Sequence, residues 1–314
     1  MRVVVTGGAG FIGANLCRLL GSVPGVSEVV VLDDLSTGFA SNLDGFDHVE
    51  FMQGTILDPD ALDRAFVGAS AVVHLAARSS VPRSLDDPLA THAANATGTM
   101  EVLEAVRRAG GPYLVLASSS SVYGANPALP KHEGLVPMPV SPYAASKLAT
   151  ESYALAHAAC FGLDVLAFRF FNVFGPLQPP RHTYAAVVPA FVSAAMEGRP
   201  LPVHGDGRQT RDFTFVDTVA GVLIDAVLRR VASPRPVNLA FGSRISLLEV
   251  IAELEAIVGH ELPVDHQPVR PGDVRDTQAD QSRLRELFPE VEPVDLRAGL
   301  RATVDWFRTR PAGG

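Results

Sequence analysis

The segment Thr6-Gly7-Gly8-Ala9-Gly10-Phe11-Ile12-Gly13 constrains the fold of this chain more than any other stretch of it. It follows an apolar, β-branched run at residues 3–6 and opens an amphipathic pattern over residues 11–20. Glycines at 7, 10 and 13 let a strand turn tightly into a helix and allow close approach where a Cβ would intrude. Further apolar runs at 28–32, 49–52, 71–75, 113–118 and 165–168 suit strands buried on both faces. Helical patterns at 60–66, 89–109 and 142–161 lie between several of them. This β-α-β-α order predicts an α/β fold built on a doubly wound parallel sheet with right-handed crossovers.

The texture changes after Asn172. Gly175-Pro176, Pro179-Pro180, Pro200, Pro202 and Gly205-Asp206-Gly207 break the chain into short elements, as in loops shaped around a ligand. A helix is expected from Val216 to Arg230. Another opens on the capping-box sequence Ser246-Leu247-Leu248-Glu249 and ends at Gly259. We therefore expect a Rossmann domain over 1–171, to which 212–238 returns, and a smaller mixed α/β domain over 172–314, with a ligand in the cleft between them. A length of 314 residues suits about two domains, and 47% hydrophobic against 19% charged residues excludes general disorder. The net charge is −8 and no Lys/Arg run exceeds two residues, which argues against nucleic acid or an anionic membrane as partner. No apolar run reaches the roughly 18 residues that span a bilayer, and no signal-peptide core follows Met1, so a cytoplasmic address is expected. Cys17 and Cys160 lie in helical patterns and read as buried small hydrophobes.

A glycine-rich turn alone is weak evidence for a ligand. Here it leaves a strand, aims a helix N-terminus at an incoming anion, and is followed 20 residues after Gly13 by Asp33, at the end of the second strand. This pattern points to a dinucleotide. Asp33 is placed to accept hydrogen bonds from the adenosine ribose and would repel a 2′-phosphate, so NAD is expected over NADP. Asp34 reads either as a second ribose contact or as a solvated turn residue.

Ser141-Pro142-Tyr143-Ala144-Ala145-Ser146-Lys147 places Tyr143 and Lys147 four apart on one helix face. A nearby ammonium favours the phenolate, so Lys147 is expected to lower the Tyr143 pKa toward the range of general acid–base exchange. On their own, such residues are most often a surface aromatic beside a solvated lysine. The run Ser118-Ser119-Ser120-Ser121, however, closes the preceding strand at the edge where open α/β sheets bind ligands.

Gly7-x-x-Gly10-x-x-Gly13, His74-Leu75-Ala76-Ala77, the serines before Val122-Tyr123-Gly124, and Tyr143-x-x-x-Lys147 together resemble the extended short-chain dehydrogenase/reductase family. Arg169-Phe170-Phe171-Asn172-Val173-Phe174-Gly175-Pro176, Arg211-Asp212-Phe213-Thr214-Phe215-Val216-Asp217 and Arg270-Pro271-Gly272-Asp273 resemble its nucleotide-sugar epimerases. The resemblance implies an NAD-dependent 4-epimerisation of a UDP-hexose. Tyr143 removes the 4-hydroxyl proton, Ser119 holds the same oxygen and Lys147 orients the nicotinamide ribose. The 4-keto sugar then turns and regains hydrogen on its other face. Cofactor contacts implied beside the glycines and Asp33 are Phe11, Ile12, Asp34, Ile56, Leu75, Ala76, Ala77, Asn95 and Phe170, and no metal is expected. Gly54-Thr55-Ile56 departs from the family, which often carries an aspartate there for adenine.

For the sugar nucleotide, the resemblance implies diphosphate contacts at Arg211 and Arg270, a uridine-ribose contact at Asp273, and Asn172 on the diphosphate or sugar. Val203 and His204 line the uracil, Val188 lies nearby, and Thr277 occupies the gate beside the sugar. Ser120 and Ser121 stand where 4,6-dehydratases carry an Asp-Glu pair and sugar-acid decarboxylases a glutamate, which favours epimerisation. UDP-glucose, UDP-N-acetylglucosamine and UDP-glucuronate remain candidates. Arg181 would suit the carboxylate of the last, or would face solvent as a loop arginine. A homodimer through the helices at 89–109 and 142–161 is what the resemblance implies. A nucleotide-sugar reductase or dehydratase, and a non-catalytic NAD-binding regulator, are the competing readings.

Overall fold

The computed structural model describes residues 1–180, 186–269 and 274–309. Seven strands carry the architecture: β1 (Arg2–Thr6), β2 (Glu28–Asp33), β3 (Val49–Gln53), β4 (Ala71–His74), β5 (Tyr113–Ser119), β6 (Val165–Phe170) and β7 (Val237–Leu239). They form one parallel sheet in the order β7-β6-β5-β4-β1-β2-β3. The valine-rich runs suit this position because successive side chains point to opposite faces and both faces are covered. Val3, Val5, Val29, Val31 and Val73 pack into one core with the helices Phe11–Leu20 and Val216–Arg229. Val4, Val30, Val72, Leu114 and Leu116 pack on the other face against Pro59–Phe66, Gly98–Arg108 and Pro142–Phe161.

A separate core forms beyond the sheet. Phe174, Phe191, Phe213, Phe215, Leu254 and Leu300 join strands and helices of the C-terminal half. There Asn172–Phe174 pairs with Phe213–Phe215 and Leu201–His204 with Val264–Gln267, while Thr210–Arg211 runs antiparallel to Ile245–Ser246. The chain between these pairs crosses back, placing the helix Val216–Arg229 and β7 on the large sheet.

Helix ends follow their sequence signals. The Ser141 hydroxyl accepts from the Ala144 N–H, Pro142 takes the first helical position, and Gly162 ends the helix in the left-handed region. Ser246 and Glu249 form the reciprocal capping box, and Gly259 closes that helix.

Two expectations need correction. Cys17 is buried and its thiol is pushed up to about 12 by burial, but Cys160 is exposed, because it occupies the outer face of a helix that buries only one side. The helix expected at 89–109 is Pro88–His92 and Gly98–Arg108 joined by a π-helical turn, Ala93–Thr97. At that turn the Asn95 carbonyl accepts from both the Thr99 and Thr150 hydroxyls, an insertion into the helical ladder of the kind that widens it.

Beneath the carboxyl end of β5 lies an almost wholly buried ion pair. Arg169 Nη2 and Nε reach the Glu151 carboxylate at 2.5 and 3.0 Å, and the Ser118 hydroxyl donates to the same carboxylate at 2.7 Å. The Arg169 guanidinium also stacks 4.7 Å above the Tyr123 ring, whose hydroxyl donates to Asn238. Removing one charge strands the other in a low-dielectric interior. Glu151→Gln is therefore expected to cost about 3–5 kcal/mol in urea denaturation. Replacing both partners by apolar residues of similar volume is expected to cost clearly less.

Candidate active site

All seven strands end on one edge, and the direction of strand succession reverses between β1 and β4. Open α/β sheets bind ligands at such a point. A cleft of about 920 Å³ lies there, walled on one side by the strand exits and on the other by the C-terminal elements.

At its floor the glycine loop leaves β1. Gly7 has φ +74°, and a Cβ there would stand 2.5 Å from the Ala76 nitrogen; one at Gly13 would stand 2.3 Å from the Gly7 carbonyl. Glycine is required at both positions by backbone-to-backbone contact. The helix that follows has Gly10 as N-cap and no side-chain cap, so its first-turn N–H groups are available to an anion. Gly7, Gly10, Phe11, Ile12 and Gly13 all line the cleft. Asp33, at the end of β2, lines it too. Its carboxylate accepts from the Ala9 and Leu35 N–H groups at 3.0 and 2.8 Å, which leaves lone pairs for further donors. Burial raises its pKa, and these two bonds hold it down in part. Asp34 is exposed on the cleft wall and accepts from the Ser36 N–H. These features fit a dinucleotide: an anion cradle that a Cβ would fill, with a carboxylate one strand away.

Ile56, Leu75, Ala76, Ala77 and Phe170 continue the wall. Asn95 does not line the cleft. Its side chain accepts from the Arg78 N–H and donates to the Arg78 carbonyl and the Ser146 hydroxyl, tying the loop after β4 to the helix Pro142–Phe161.

Ser119, Tyr143 and Lys147 meet at the exit of β5. The Tyr143 hydroxyl is hydrogen-bonded to Ser119, whose Oγ also accepts from the Ser121 hydroxyl at 2.8 Å. Lys147 Nζ donates to the Ala117 carbonyl at 2.9 Å. The expectation that Lys147 acidifies Tyr143 needs correction. Burial raises the phenol above its ordinary value and only the Ser119 bond opposes this, while burial lowers Lys147 itself to about 8. Dehydration dominates both groups, each losing water that would favour its charged form.

From the C-terminal side come Asn172, Val188, His204 and Arg211. Arg211 Nη1 donates to the Thr210 and Arg275 carbonyls, and His204 is hydrogen-bonded to the Pro268 carbonyl. Val203 is fully buried in the C-terminal core, and Thr277 stands behind Asn172, whose amide reaches its hydroxyl at 3.4 Å. Arg181, Arg270 and Asp273 lie outside the described residues. Arg78 and Arg83 also face the cleft, and the motifs did not single them out. Their position just after a strand exit was the available signal.

The family description "NAD dependent epimerase/dehydratase family" matches residues 3–240. The chain belongs to that family. It is 39% identical to a UDP-glucose 4-epimerase of Mycolicibacterium smegmatis, over 99% of both chains. Among solved structures it resembles a UDP-N-acetylglucosamine 4-epimerase from Methanobrevibacter ruminantium in complex with UDP-N-acetylmuramic acid (TM-score 0.91, 33% identity, 98% of each chain). It also resembles a UDP-glucuronic acid 4-epimerase from Bacillus cereus with UDP-glucuronic acid and NAD (TM-score 0.89, 29% identity, 98% of this chain and 99% of that one). Its cofactor is NAD, which the glycine cradle and Asp33 would hold and which supplies, when bound, the carbon that takes up and returns a hydrogen.

His74, at the end of β4, is buried between the Thr6 and Thr99 hydroxyls at 2.7 and 3.1 Å. Burial, with Lys147 nearby, lowers its pKa to about 3. The unfolded chain takes up a proton at the ordinary value of about 6.5 while the folded one does not, so this group withdraws stability as pH falls through that value. Relative to His74→Gln, the wild type is expected to gain about 2 kcal/mol between pH 5 and pH 7 in denaturant titrations.

Proposed function

We propose that the protein catalyses NAD-dependent 4-epimerisation of a UDP-hexose through a transient 4-keto sugar, with UDP-glucuronate and UDP-galacturonate as the preferred pair. In this reading, residues 1–171 with 212–238 hold NAD and 172–314 hold the sugar nucleotide. The observation that carries it is the meeting of Ser119, Tyr143 and Lys147 in the same cleft as the glycine cradle and Arg211.

Tyr143 is assigned the proton transfer. Its oxygen, beside Ser119 and ionised to the phenolate in the working enzyme, takes the proton of the sugar 4-hydroxyl as C4 is oxidised, and returns it after the ketone has turned over. Ser119 holds the substrate oxygen, and Lys147, whose ammonium keeps two further N–H donors beyond the Ala117 carbonyl, would hold the cofactor ribose. Arg211 and Asn172 bind the diphosphate, where a guanidinium fork suits phosphate oxygens. Arg270 and Asp273 are assigned the same nucleotide on the resemblance alone. Ser120 and Ser121 supply no acid for dehydration, and the complete Ser-Tyr-Lys set argues against a non-catalytic regulator.

A uronate needs a cation or several donors around its carboxylate. Arg83 favours it: this arginine lines the cleft, and its guanidinium has no hydrogen-bond or ion-pair partner among the described residues. Arg181 is the second candidate. UDP-glucose and UDP-N-acetylglucosamine are the alternatives. A homodimer is supported by apolar exposure of Leu89, Tyr153 and Phe161 on the helices assigned to it. Among the described residues no helix is long and apolar enough to cross a membrane.

Tyr143→Phe is expected to lower kcat by about 10²–10⁴-fold while UDP binding, measured by calorimetry, stays at the wild-type level. Retention of more than a few per cent of activity contradicts the assigned role. Arg181→Ala is expected to reduce kcat/KM for UDP-glucuronate more than for UDP-glucose or UDP-N-acetylglucosamine, measured by NMR of the products. An unchanged preference sinks its role with the uronate.

A further inference from the structure

Asp212 is wholly buried, lies outside the cleft and has no cation at hydrogen-bonding distance among the described residues. Its carboxylate is held by neutral donors from two other chain segments. Oδ2 accepts from the Gly242 N–H at 3.0 Å and the Ala279 N–H at 2.9 Å, and Oδ1 accepts from the Ser243 hydroxyl at 2.9 Å. Gly242 has φ +76°, a conformation that suits glycine and turns its N–H inward. The Ser243 hydroxyl in turn accepts from the Phe213 N–H at 3.0 Å, so carboxylate and serine grip both sides of one peptide.

The same residue's main chain holds Asn172, which lines the cleft. The Asp212 carbonyl accepts from the Asn172 N–H and from the Asn172 side-chain amide, each at 3.2 Å. Arg211, which lines the cleft, is its immediate neighbour, and Thr277, two residues before Ala279, hangs from the Thr210 carbonyl. One buried anion thus pins the peptides that carry Arg211, orient Asn172 and hold Thr277.

We propose that Asp212 is a positioning residue of the nucleotide-sugar site: its carboxylate fixes the main chain that presents Arg211 and Asn172, and its loss weakens substrate binding and not the chemical step. This rests on the reading of the cleft as a UDP-sugar site. The side chain touches neither the cleft nor Tyr143, so the effect falls on the half of the site that grips the nucleotide. In Asp212→Asn the charge is lost, and the N–H₂ must either face the Gly242 and Ala279 N–H groups or turn the Ser243 hydroxyl from donor to acceptor, which weakens the grip on the loop. Ser243→Ala removes one donor to the carboxylate and the acceptor of the Phe213 N–H, and keeps the buried charge and its two backbone donors.

The test compares both variants with the wild type in KM for UDP-glucuronate, UDP affinity by calorimetry, kcat, bound NAD content and Tm. Asp212→Asn is expected to raise KM and the UDP Kd together by about tenfold or more, a loss of at least one hydrogen bond to a charged group. Its kcat is expected to stay within about threefold and its NAD content unchanged, with Ser243→Ala shifting KM and Kd the same way by less. Lower Tm with wild-type KM and Kd in both variants overturns the proposal and leaves Asp212 a structural residue. Should Asp212→Asn fail to fold, an unchanged KM in Ser243→Ala overturns it alone. If the wild type does not bind UDP, the reading of the cleft falls instead, and this inference with it.

Discussion

Everything in this molecule depends on the contact between the glycine loop and the exit of β4. Seven parallel strands deliver their carboxyl ends to one edge, and the reversal of strand order parts the crossovers above β1 and β4. The opening becomes a binding site only if the chain leaving β1 clears the chain leaving β4. Gly7 allows this, and Gly13 lets the helix close onto the same loop, since any side chain at either would meet backbone atoms, which cannot move aside. The uncapped helix N-terminus and the Asp33 carboxylate fall into place around that gap.

Burial sets the electrostatics of the cleft. Tyr143 is raised, Lys147 and His74 are lowered, and each rests on a neutral partner: a serine hydroxyl, a carbonyl, two threonines. Charge is admitted only where it is matched, as in Glu151–Arg169, or surrounded by aimed dipoles, as at Asp212. Groups dehydrated in this way feel an incoming charge more strongly than they would in water.

The large sheet was legible because it repeats local signals: valine runs, caps at Ser141 and Ser246, glycines that end helices. So were Asp33 and the Ser119–Tyr143–Lys147 set, whose elements announce where they end. Asn95 was placed among cofactor contacts by resemblance, yet it clamps the Arg78 loop to the helix Pro142–Phe161, a contact across 51 residues of sequence to Ser146 that no spacing rule reveals. Arg83 and Asp212 escaped for the same reason. An arginine in a polar loop and an aspartate before a phenylalanine look ordinary until the chain brings a cleft to one and three donors to the other.

By itself, the sequence determined the α/β class, the strand edge at which the cleft opens, and the hydroxyl and amine side chains that gather there. Those follow from side-chain period, backbone freedom and intrinsic acidity, all properties of a few consecutive residues. Only the tertiary structure decided which ionisable groups are dehydrated, which cleft arginine meets no counter-ion among the described residues, and which buried carboxylate gathers donors from distant segments. Those depend on distances between segments far apart in the chain, and free energies of burial and pairing exist only once the segments meet.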